Sequence, residues 1–599
     1  MLLAGADALA QSQFTQESAA RGVAYPVQPV PQTSGLYGFG VAAVDLDADG
    51  DDDIVALGRS NGQVGVFENL GNGTFANRSA TSGLPPIAQA SAIACADLDG
   101  DRRPELLLTQ IGLPLRVFKP AAAFTFLPHA LDGSLGSMAA TKAVSLADID
   151  RDGDLDIFAA TYALPSGPYA DARCRLWRND GGTAVDLAPS MGLARPARSF
   201  LGVFSDLDAD GDADLYVSND RGHLAPLFEE NWLFRNDDGT MVESGAGSGA
   251  DVACYSMGCA AGDFDGDTRV DLLVTNIATR EAPVFGVNPL MLGNGDGTFV
   301  RGEALWGVED RATGWGALFV DFDDDGRLDL YVNHQGSANR LWRNPGVPPA
   351  LLVPNAGGAA GSGSLWSYCT VHADFDRDGD QDLLVSDLGA NLQLYMNAAG
   401  NAAPSARLRL EGRAPNASAI GARAEATLPD GRVLVREVHA GGVGYLGQNT
   451  LELHFGLGTA AEVAMLRVSF ADGAVRTLPA LPAGAHAAVH PSLLGDRDRN
   501  GDLDLLDRSA LAKSIGSPVT VANAPHDIDG DMRITESDLA LFDALLLARR
   551  ADINRDGRVG PQDLALLLGA WGSDNASADV DLDGAVGASD LSAVLAAWN

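Results

Sequence analysis

The sequence predicts a mostly β chain with three folded parts: a seven-bladed β-propeller, a small β-sandwich, and a small α-helical domain of acidic loops. Three observations carry this. An acidic nonapeptide recurs seven times between Asp45 and Asp382; alternating apolar and polar segments occupy residues 405–490; and four acidic stretches of a different, twelve-residue spacing fill residues 494–599, each running into a helix-like segment. A chain of 599 residues is too long for one ordinary domain, and its 46% hydrophobic content is enough for real cores. Seventy glycines against 41 Lys and Arg favour turn-rich β structure over long helices.

The first copy, "DLDADGDDD" at Asp45, returns as "DLDGDRRPE" (Asp97), "DIDRDGDLD" (Asp148), "DLDADGDAD" (Asp206), "DFDGDTRVD" (Asp263), "DFDDDGRLD" (Asp321) and "DFDRDGDQD" (Asp374). The intervals of 51 to 58 residues match one four-stranded blade with its loops. Runs such as "DIVALG", "DLYVSN" and "DLLVTN" follow the copies and predict buried strands. A second element, such as "FENLGNGTF" (Phe67) or "LFRNDDGT" (Leu233), predicts a strand ending in an Asn/Gly turn. A third, such as "FANRSATSGL" (Phe75) or "FVRGEALWGV" (Phe299), closes several units but is missing after the seventh. A similar piece, "FTQESAARGV" (Phe14 to Val23), stands alone near the start, so this strand is expected to complete the last blade and remove its open edge.

Carboxylates at positions 1, 3, 5 and 9, with a main-chain carbonyl at position 7, form the oxygen shell that Ca²⁺ prefers; Mg²⁺ demands stricter geometry. The expected ligands are Asp45, Asp47, Asp49 and Asp53, with Asp51 as carbonyl donor and Gly50 at the sharp turn. The later copies place Asp97, Asp99, Asp101 and Glu105; Asp148, Asp150, Asp152 and Asp156; and Asp206, Asp208, Asp210 and Asp214. They are followed by Asp263, Asp265, Asp267 and Asp271; Asp321, Asp323, Asp325 and Asp329; and Asp374, Asp376, Asp378 and Asp382. Without a cation, four converging carboxylates repel one another. The plainer alternative is a series of Asx turns that only reverses the chain. The second and fifth copies carry Arg102 and Thr268 where glycine stands elsewhere, with Gly100 and Gly266 two residues earlier, and are expected to be the weakest sites.

The seven copies resemble the FG-GAP/VCBS repeats of integrin-type seven-bladed propellers over residues 14–400. That resemblance implies a propeller spanning residues 11–400 and an interaction role.

From Ser405 the segments "ARLRLEG", "GARAEATLPDGRVLVREV", "LELHFGLG" and "VAMLRVSFADGAVRTL" alternate, with Pro-Asp-Gly and Ala-Asp-Gly turns between strands, predicting a β-sandwich over residues 405–490. "AIGARAEATLPDGR" and "LELHFGLG" resemble the ASPIC/UnbV domain that follows an FG-GAP propeller in cartilage acidic protein-like chains. Phe470-Ala471-Asp472-Gly473 stands where that family shows Trp-Pro-x-Gly. His454 reads as an ordinary strand histidine, since no partner motif accompanies it.

The terminal stretches are "DRDRNGDLDLLD" (Asp496), "DIDGDMRITESD" (Asp527), "DINRDGRVGPQD" (Asp552) and "DVDLDGAVGASD" (Asp579). Acid at position 12 matches an EF-hand-type loop, which makes this a small α-helical calcium-loop domain. Its candidate ligands are Asp496, Asp498, Asn500, Asp504 and Asp507; Asp527, Asp529, Asp531, Thr535 and Asp538; Asp552, Asn554, Asp556 and Asp563; and Asp579, Asp581, Asp583 and Asp590. Loop followed by helix resembles the dockerin type I repeat, here as two pairs over residues 494–599. That resemblance implies a cohesin-like partner, although the residues at loop positions 10 and 11 depart from the usual Ser/Thr pairs; a terminal module that pairs internally is the alternative.

The formal charge of −39 disfavours nucleic acid and anionic membrane as partners and favours divalent metals. Eleven divalent ions, carrying 22 positive charges, would bring it to −17. No apolar run is long enough for a membrane span. Ala8-Leu9-Ala10 fits a signal-peptidase site, so residues 1–10 read as a remnant signal peptide and the protein as secreted, extracellular or at the cell surface. The dockerin-like repeats beside an ASPIC/UnbV-like domain imply a bacterial source. Of the five cysteines, Cys254 and Cys259 are close enough for a local bridge, and the others read as core thiols. Trp177 and Trp342 sit inside the repeat and are expected in the core; Trp306, Trp315 and Trp366 lie between repeats and are candidates for a recognition face. No HExxH, GxSxG or Cys/His nucleophile arrangement occurs. The expected role is a calcium-binding recognition or adhesion protein for a protein or glycan ligand. An extracellular polysaccharide-active enzyme and a purely structural matrix component are the alternatives.

Overall fold

A computed structural model of the chain describes residues 14–28, 38–132, 135, 141–163, 172–220, 230–277, 286–353, 366–398, 403–478, 480–490, 505–516 and 534–551, and, from 553 to 596, all but 554–558, 560, 574–577, 579 and 581–584. The chain divides into two compact units, Met1–Val489 and His490–Asn599.

In the first unit, each acidic nonapeptide is the hairpin that joins the first and second strands of one antiparallel sheet, four-stranded in six cases and five-stranded in the third, where Ala440–Gly441 adds an inner strand. The first strands are Val41–Val44, Ala90–Ala96, Thr141–Ala147, Ser199–Ser205, Ser256–Gly262, Gly314–Val320 and Trp366–Ala373. The second strands begin at the ninth loop position: Asp53–Ala56, Glu105–Gln110, Asp156–Thr161, Asp214–Asn219, Asp271–Asn276, Asp329–His334 and Asp382–Leu388. Almost every residue of these strands is buried on both faces, because each sheet is packed between two neighbours, which is why their sequences run continuously apolar. Each first strand touches the first strand of the next sheet, and Trp366–Ala373 touches Val41–Val44. The contacts therefore close on themselves, as in a propeller. Thr15–Gln16 pairs with Tyr395 and Met396 and supplies the outer strand of the last sheet.

The remainder of this unit forms two larger sheets and the two-stranded pair of Glu462–Val463 with Leu481–Pro482. Ser405–Leu410 lies between Glu452–Gly456 and His486–Val489, while Val433–Glu437, Arg423–Thr427, Met465–Ser469 and Val475–Leu478 form a second sheet in that order. Between them the chain makes an excursion, residues 439–450, into the axis of the ring. There it meets the first strand of every sheet. Ala440–Gly441 pairs with Ser145 and Leu146; Gly444 and Cys259 exchange backbone hydrogen bonds of 2.7 and 3.0 Å; and the Gln448 backbone bonds Val41 and Ala43 at 3.1 Å each. The Ile93 N–H donates to Leu446 O, Thr450 N–H to His372 O, and the His439 ring meets Phe204 O. Tyr445, fully buried, packs among Phe200, Trp315 and Tyr368 with ring centroids 5.5 to 6.5 Å away.

The glycines of "AGGVGYLGQ" permit this approach. A Cβ on Gly441, Gly442 or Gly447 would lie 2.2 to 2.5 Å from the carbonyl oxygens of Val144, Gly202 and Val41. Backbone atoms that close leave no room for a side chain.

Two expectations are corrected. All five cysteines are free and buried, and Cys254 Sγ lies 2.9 Å from Ser256 Oγ instead of bonding Cys259. Trp306 and Trp315 are core residues: Trp306 ends the short helix Glu303–Trp306 and packs on Phe264 at 5.0 Å, and Trp315 faces Tyr368 at 4.7 Å on the axis. Trp366 is half-buried, while Trp177 and Trp342 are buried as expected.

The second unit contributes helices Leu505–Ser514, Glu536–Ala551, Pro561–Gly569 and Ala588–Ala596. Ala551, Val559, Leu567, Val580, Val586 and Val594 form one of its cores. Among the described residues no helix is long and apolar enough to cross a membrane.

Replacing Tyr445 by Ala should cost about 3–5 kcal/mol, the usual result of emptying a buried aromatic site. Denaturant melts followed by tryptophan fluorescence read this, and an unchanged midpoint would remove residues 439–450 from any structural role.

Candidate metal centres

The seven loops share one hydrogen-bond plan. The ninth-position carboxylate accepts the N–H of position 2 in every loop, from 2.7 Å at Leu98 to 3.2 Å at Phe322. In six loops its other oxygen accepts an N–H from the third strand: Asn69, Asn179, Asn236, Gly293, Asn344 or Asn397. Four of these asparagines also reach the neighbouring sheet, where Asn69, Asn236, Asn344 and Asn397 donate to the position-2 carbonyls of Phe375, Ile149, Phe264 and Phe322. The Asn/Gly turn thus straps adjacent loops together.

Position 5 accepts the N–H of position 7, as in Asp49 from Asp51 at 3.0 Å. Position 1 turns Oδ2 to the N–H of position 6, at 3.1 Å for Asp45, Asp148, Asp206 and Asp374 and 2.9 Å for Asp321. These bonds leave the inward oxygens. In the third to seventh loops, Oδ1 of position 1 and Oδ1 of position 3 (Asp148 and Asp150, Asp206 and Asp208, Asp263 and Asp265, Asp321 and Asp323, Asp374 and Asp376) are shut from solvent and accept no hydrogen bond. Ligand atoms of Asp45, Asp47 and Asp53, and of Asp148, Asp150 and Asp156, lie within 4.8 Å of one another.

Burial first, then repulsion from neighbouring carboxylates, of the same loop or, for Asp206, of Glu437, pushes these carboxyls up: Asp206, Asp263 and Asp374 to about 6, Asp148 and Asp321 to about 7, Asp156 and Asp214 to about 8, Asp53 to about 9. Buried anionic oxygens without donors are costly unless a cation meets them. The oxygen-only donor set suits a hard ion.

Basic side chains meet the outer oxygens. Third-strand residues approach position 3: Arg178 to Asp150 at 3.8 Å, Arg235 to Asp208 at 3.7 Å, and Arg343 in direct contact with Asp323, while Arg21 of the N-terminal segment reaches Asp376 at 3.1 Å. Position 1 is met from the second β part of the unit: Arg407 to Asp374 at 2.7 Å, Arg409 to Asp45 at 2.5 Å, and Arg436 to Asp321 at 3.8 Å. This β part therefore covers the loop end of the ring. Its arginines escaped the sequence reading. The alternation in "ARLRLEG" shows that Arg407 and Arg409 share a strand face, but not what that face meets.

The second loop differs. Its third strand carries Pro120 where the others carry an N–H donor, so Glu105 Oε1 is buried without a partner. Lys119 stands 3.5 Å from Asp99, and His129 gathers with Asp99 and Glu105. His129 Nδ1 accepts the Leu131 N–H at 3.1 Å, so its other nitrogen carries the proton, the ring is neutral and neither nitrogen offers a metal a free lone pair. The Lys119 ammonium beside Asp99 makes this the poorest ion candidate.

Strain does not single out the second and fifth loops. Positions 4 and 6 lie at positive φ in all seven; Ala48 and Gly50 show 66° and 90°, while Gly100 with Arg102 and Gly266 with Thr268 show 78° with 66° and 78° with 75°. Every loop holds one glycine and one other residue there, so the early glycine exchanges places with the late one.

His454 has a partner the sequence did not reveal: its Nε2 lies 2.5 Å from Oδ1 of buried Asp324, at position 4 of the sixth loop. In the second unit, Asp590 accepts the Val580 and Gly587 N–H groups at 2.6 and 2.7 Å, Asp563 is buried, and Thr535 Oγ1 accepts the Ser537 N–H at 3.1 Å. Asp496, Asp498, Asn500, Asp504, Asp527, Asp529, Asp531, Asp552, Asn554, Asp556, Asp579, Asp581 and Asp583 lie outside the described residues, as do the side chains of Asp507 and Asp538.

The raised carboxyls fix the sign of a pH dependence. Without a cation they hold protons more tightly folded than unfolded, so stability falls as pH rises from about 4 through the folded values near 6 to 9. A bound cation keeps them ionised and removes the fall. Melting in chelator should therefore drop between about pH 5 and about pH 8 while melting with divalent cation does not; a pH-independent gap would argue against these carboxylates as ion ligands.

A family model described as an FG-GAP-like repeat matches residues 25–108, 148–217 and 206–274, and one described as ASPIC and UnbV matches residues 412–492. Cartilage acidic protein 1 of Mus musculus is 26% identical over 487 residues, covering 73% of this chain and 70% of that protein; the Homo sapiens protein is 25% identical over 486 residues, covering 73% and 69%. Among solved structures, the Dos1 propeller aligns at 10% identity over 66% of this chain and 90% of that one, with a TM-score of 0.32. The chain carries FG-GAP-like repeats and an ASPIC/UnbV domain and is homologous to cartilage acidic protein 1.

Proposed function

We propose that this chain is an extracellular recognition protein built on a calcium-stabilised seven-bladed propeller. The observation that carries the reading is the set of paired inward oxygens at positions 1 and 3 of five loops, buried and without donors. Oxygen-only shells with a flexible hairpin suit Ca²⁺ better than Mg²⁺, which keeps its waters and demands octahedral geometry. Charge agrees with a divalent ion. In the seventh loop, Arg21 and Arg407 face four ligand carboxylates and leave two negative charges before buried Asp380 is counted.

The loop end of the ring is covered by the ASPIC/UnbV domain, and residues 439–450 fill the axis. A protein or glycan ligand is therefore assigned to the opposite end, where half-buried Trp366 begins its strand. The dockerin-like repeats of the second unit would attach the protein to a cohesin-like module or to its own kind. Secretion accords with the homologues' description as cartilage proteins.

Calcium content of the full chain, measured by mass spectrometry after gel filtration, should fall by one ion in the Asp148→Asn/Asp150→Asn variant. An unchanged count would exclude the third loop as a site. Co-sedimentation with insoluble polysaccharides and cell walls, in calcium and in chelator, tests the recognition role: calcium-dependent retention without released products is expected. Released products would replace this reading with an enzyme, and no retention with a structural role.

A further inference from the structure

We propose that the seventh and first loops are composite cation sites, completed by arginines of the strand Ser405–Leu410 that hold the position-1 carboxylate in its ligating orientation. This rests on the calcium reading above and says which residues outside the nonapeptide set the affinity.

The geometry is fullest at the seventh loop. Asp374 is 7% exposed, and its two oxygens have different roles. Oδ2 accepts the Gly379 N–H at 3.1 Å and Arg407 Nη1 at 2.7 Å, while Oδ1 faces inward, buried and without a donor. Arg407 is itself steadied by Glu452 at 3.7 Å. At the first loop Arg409 repeats the contact, at 2.5 Å to Asp45 Oδ2, which also accepts the Gly50 N–H at 3.1 Å.

The two arginines come from one strand, Ser405–Leu410. Ala406, Leu408 and Leu410 point into the domain's core, and the period of two turns Arg407 and Arg409 to the ring. A crevice of about 320 Å³ opens beside them, lined by Asp45, Asp374, Arg407, Arg409 and Glu452. Without a guanidinium, a position-1 carboxylate can turn toward this wet crevice and take its inward oxygen with it. Outer partners of ligating carboxylates commonly govern affinity in this way. The third loop is the internal control: Asn416 meets it through a backbone N–H to Gly153 O, and no arginine contact to Asp148 is seen among the described residues.

The test is calorimetric titration of Ca²⁺ into the chelator-stripped full chain and into its Arg407→Gln/Arg409→Gln and Arg407→Lys/Arg409→Lys variants. Two sites should weaken by about tenfold in the glutamine pair and recover to within about twofold in the lysine pair, the others being unchanged. Glutamine variants that bind as tightly as the parent, or more tightly, would overturn the proposal, because a guanidinium that only repels the ion gives that result. If the glutamine pair fails to fold, the lysine pair decides: uniform loss across all sites would mean a general packing role and sink the composite-site reading. A parent chain that takes up no ion would overturn the calcium reading itself, whereas ion binding indifferent to the arginines would overturn this inference alone.

Discussion

The structure depends on one contact repeated around the ring: a buried ninth-position carboxylate that accepts a backbone N–H from its own hairpin in every sheet and a second from the third strand in six of the seven. It locks strands one to three of a sheet at their loop end. In the third to seventh loops, positions 1 and 3 each turn one oxygen inward without a donor. Several anionic oxygens are then confined where water cannot reach them, and this local cost recurs from sheet to sheet. Protons, a cation or the arginines on the outer oxygens can offset it, and the arginines reach only some of the loops.

The same end of each sheet couples to its neighbours. An asparagine on the third strand donates sideways to the preceding loop, and the turn after it lies so close that a Cβ on Gly73 or Gly239 would meet Asp376 or Asp150 at 2.8 Å. The Asn/Gly spacing therefore serves the ring and not only the turn. Closure between the last sheet and the first uses the same bonds, with Arg21 and Thr15–Gln16 added. Filling an ion loop would stiffen a hairpin, and each hairpin is tied to the next.

Residue types at fixed spacing made the loops, the second strands and the Asn/Gly turns legible, because each answers to local chemistry. Residues 439–450 were not legible. Their run has no period, and their partners are far away in sequence, as in Gln448 with Cys95, 353 residues apart. Four glycines in nine positions, Gly441, Gly442, Gly444 and Gly447, were the available signal for close backbone approach. Trp306 and Trp315 misled for a related reason: lying outside the repeat pattern does not put a residue on the surface when connecting segments pack on the rim and the axis. Arg407 and Arg409 show a third limit, since alternation fixes which residues share a face and says nothing about what that face meets.

Covering the loop end has a consequence for how the chain meets other molecules. A propeller offers two ends and an axis. Here one end is buried against arginines of the same chain, and the axis holds Tyr445 and its glycine-rich flanks. The position-1 carboxylates of the first, sixth and seventh loops therefore lie at a seam between two parts of one unit. An ion bound there would reach the opposite end of the ring only through the stiffness of the sheets. On the proposed calcium reading, any calcium dependence of binding at that opposite end would follow the stability of the ring and not the chemistry of what binds.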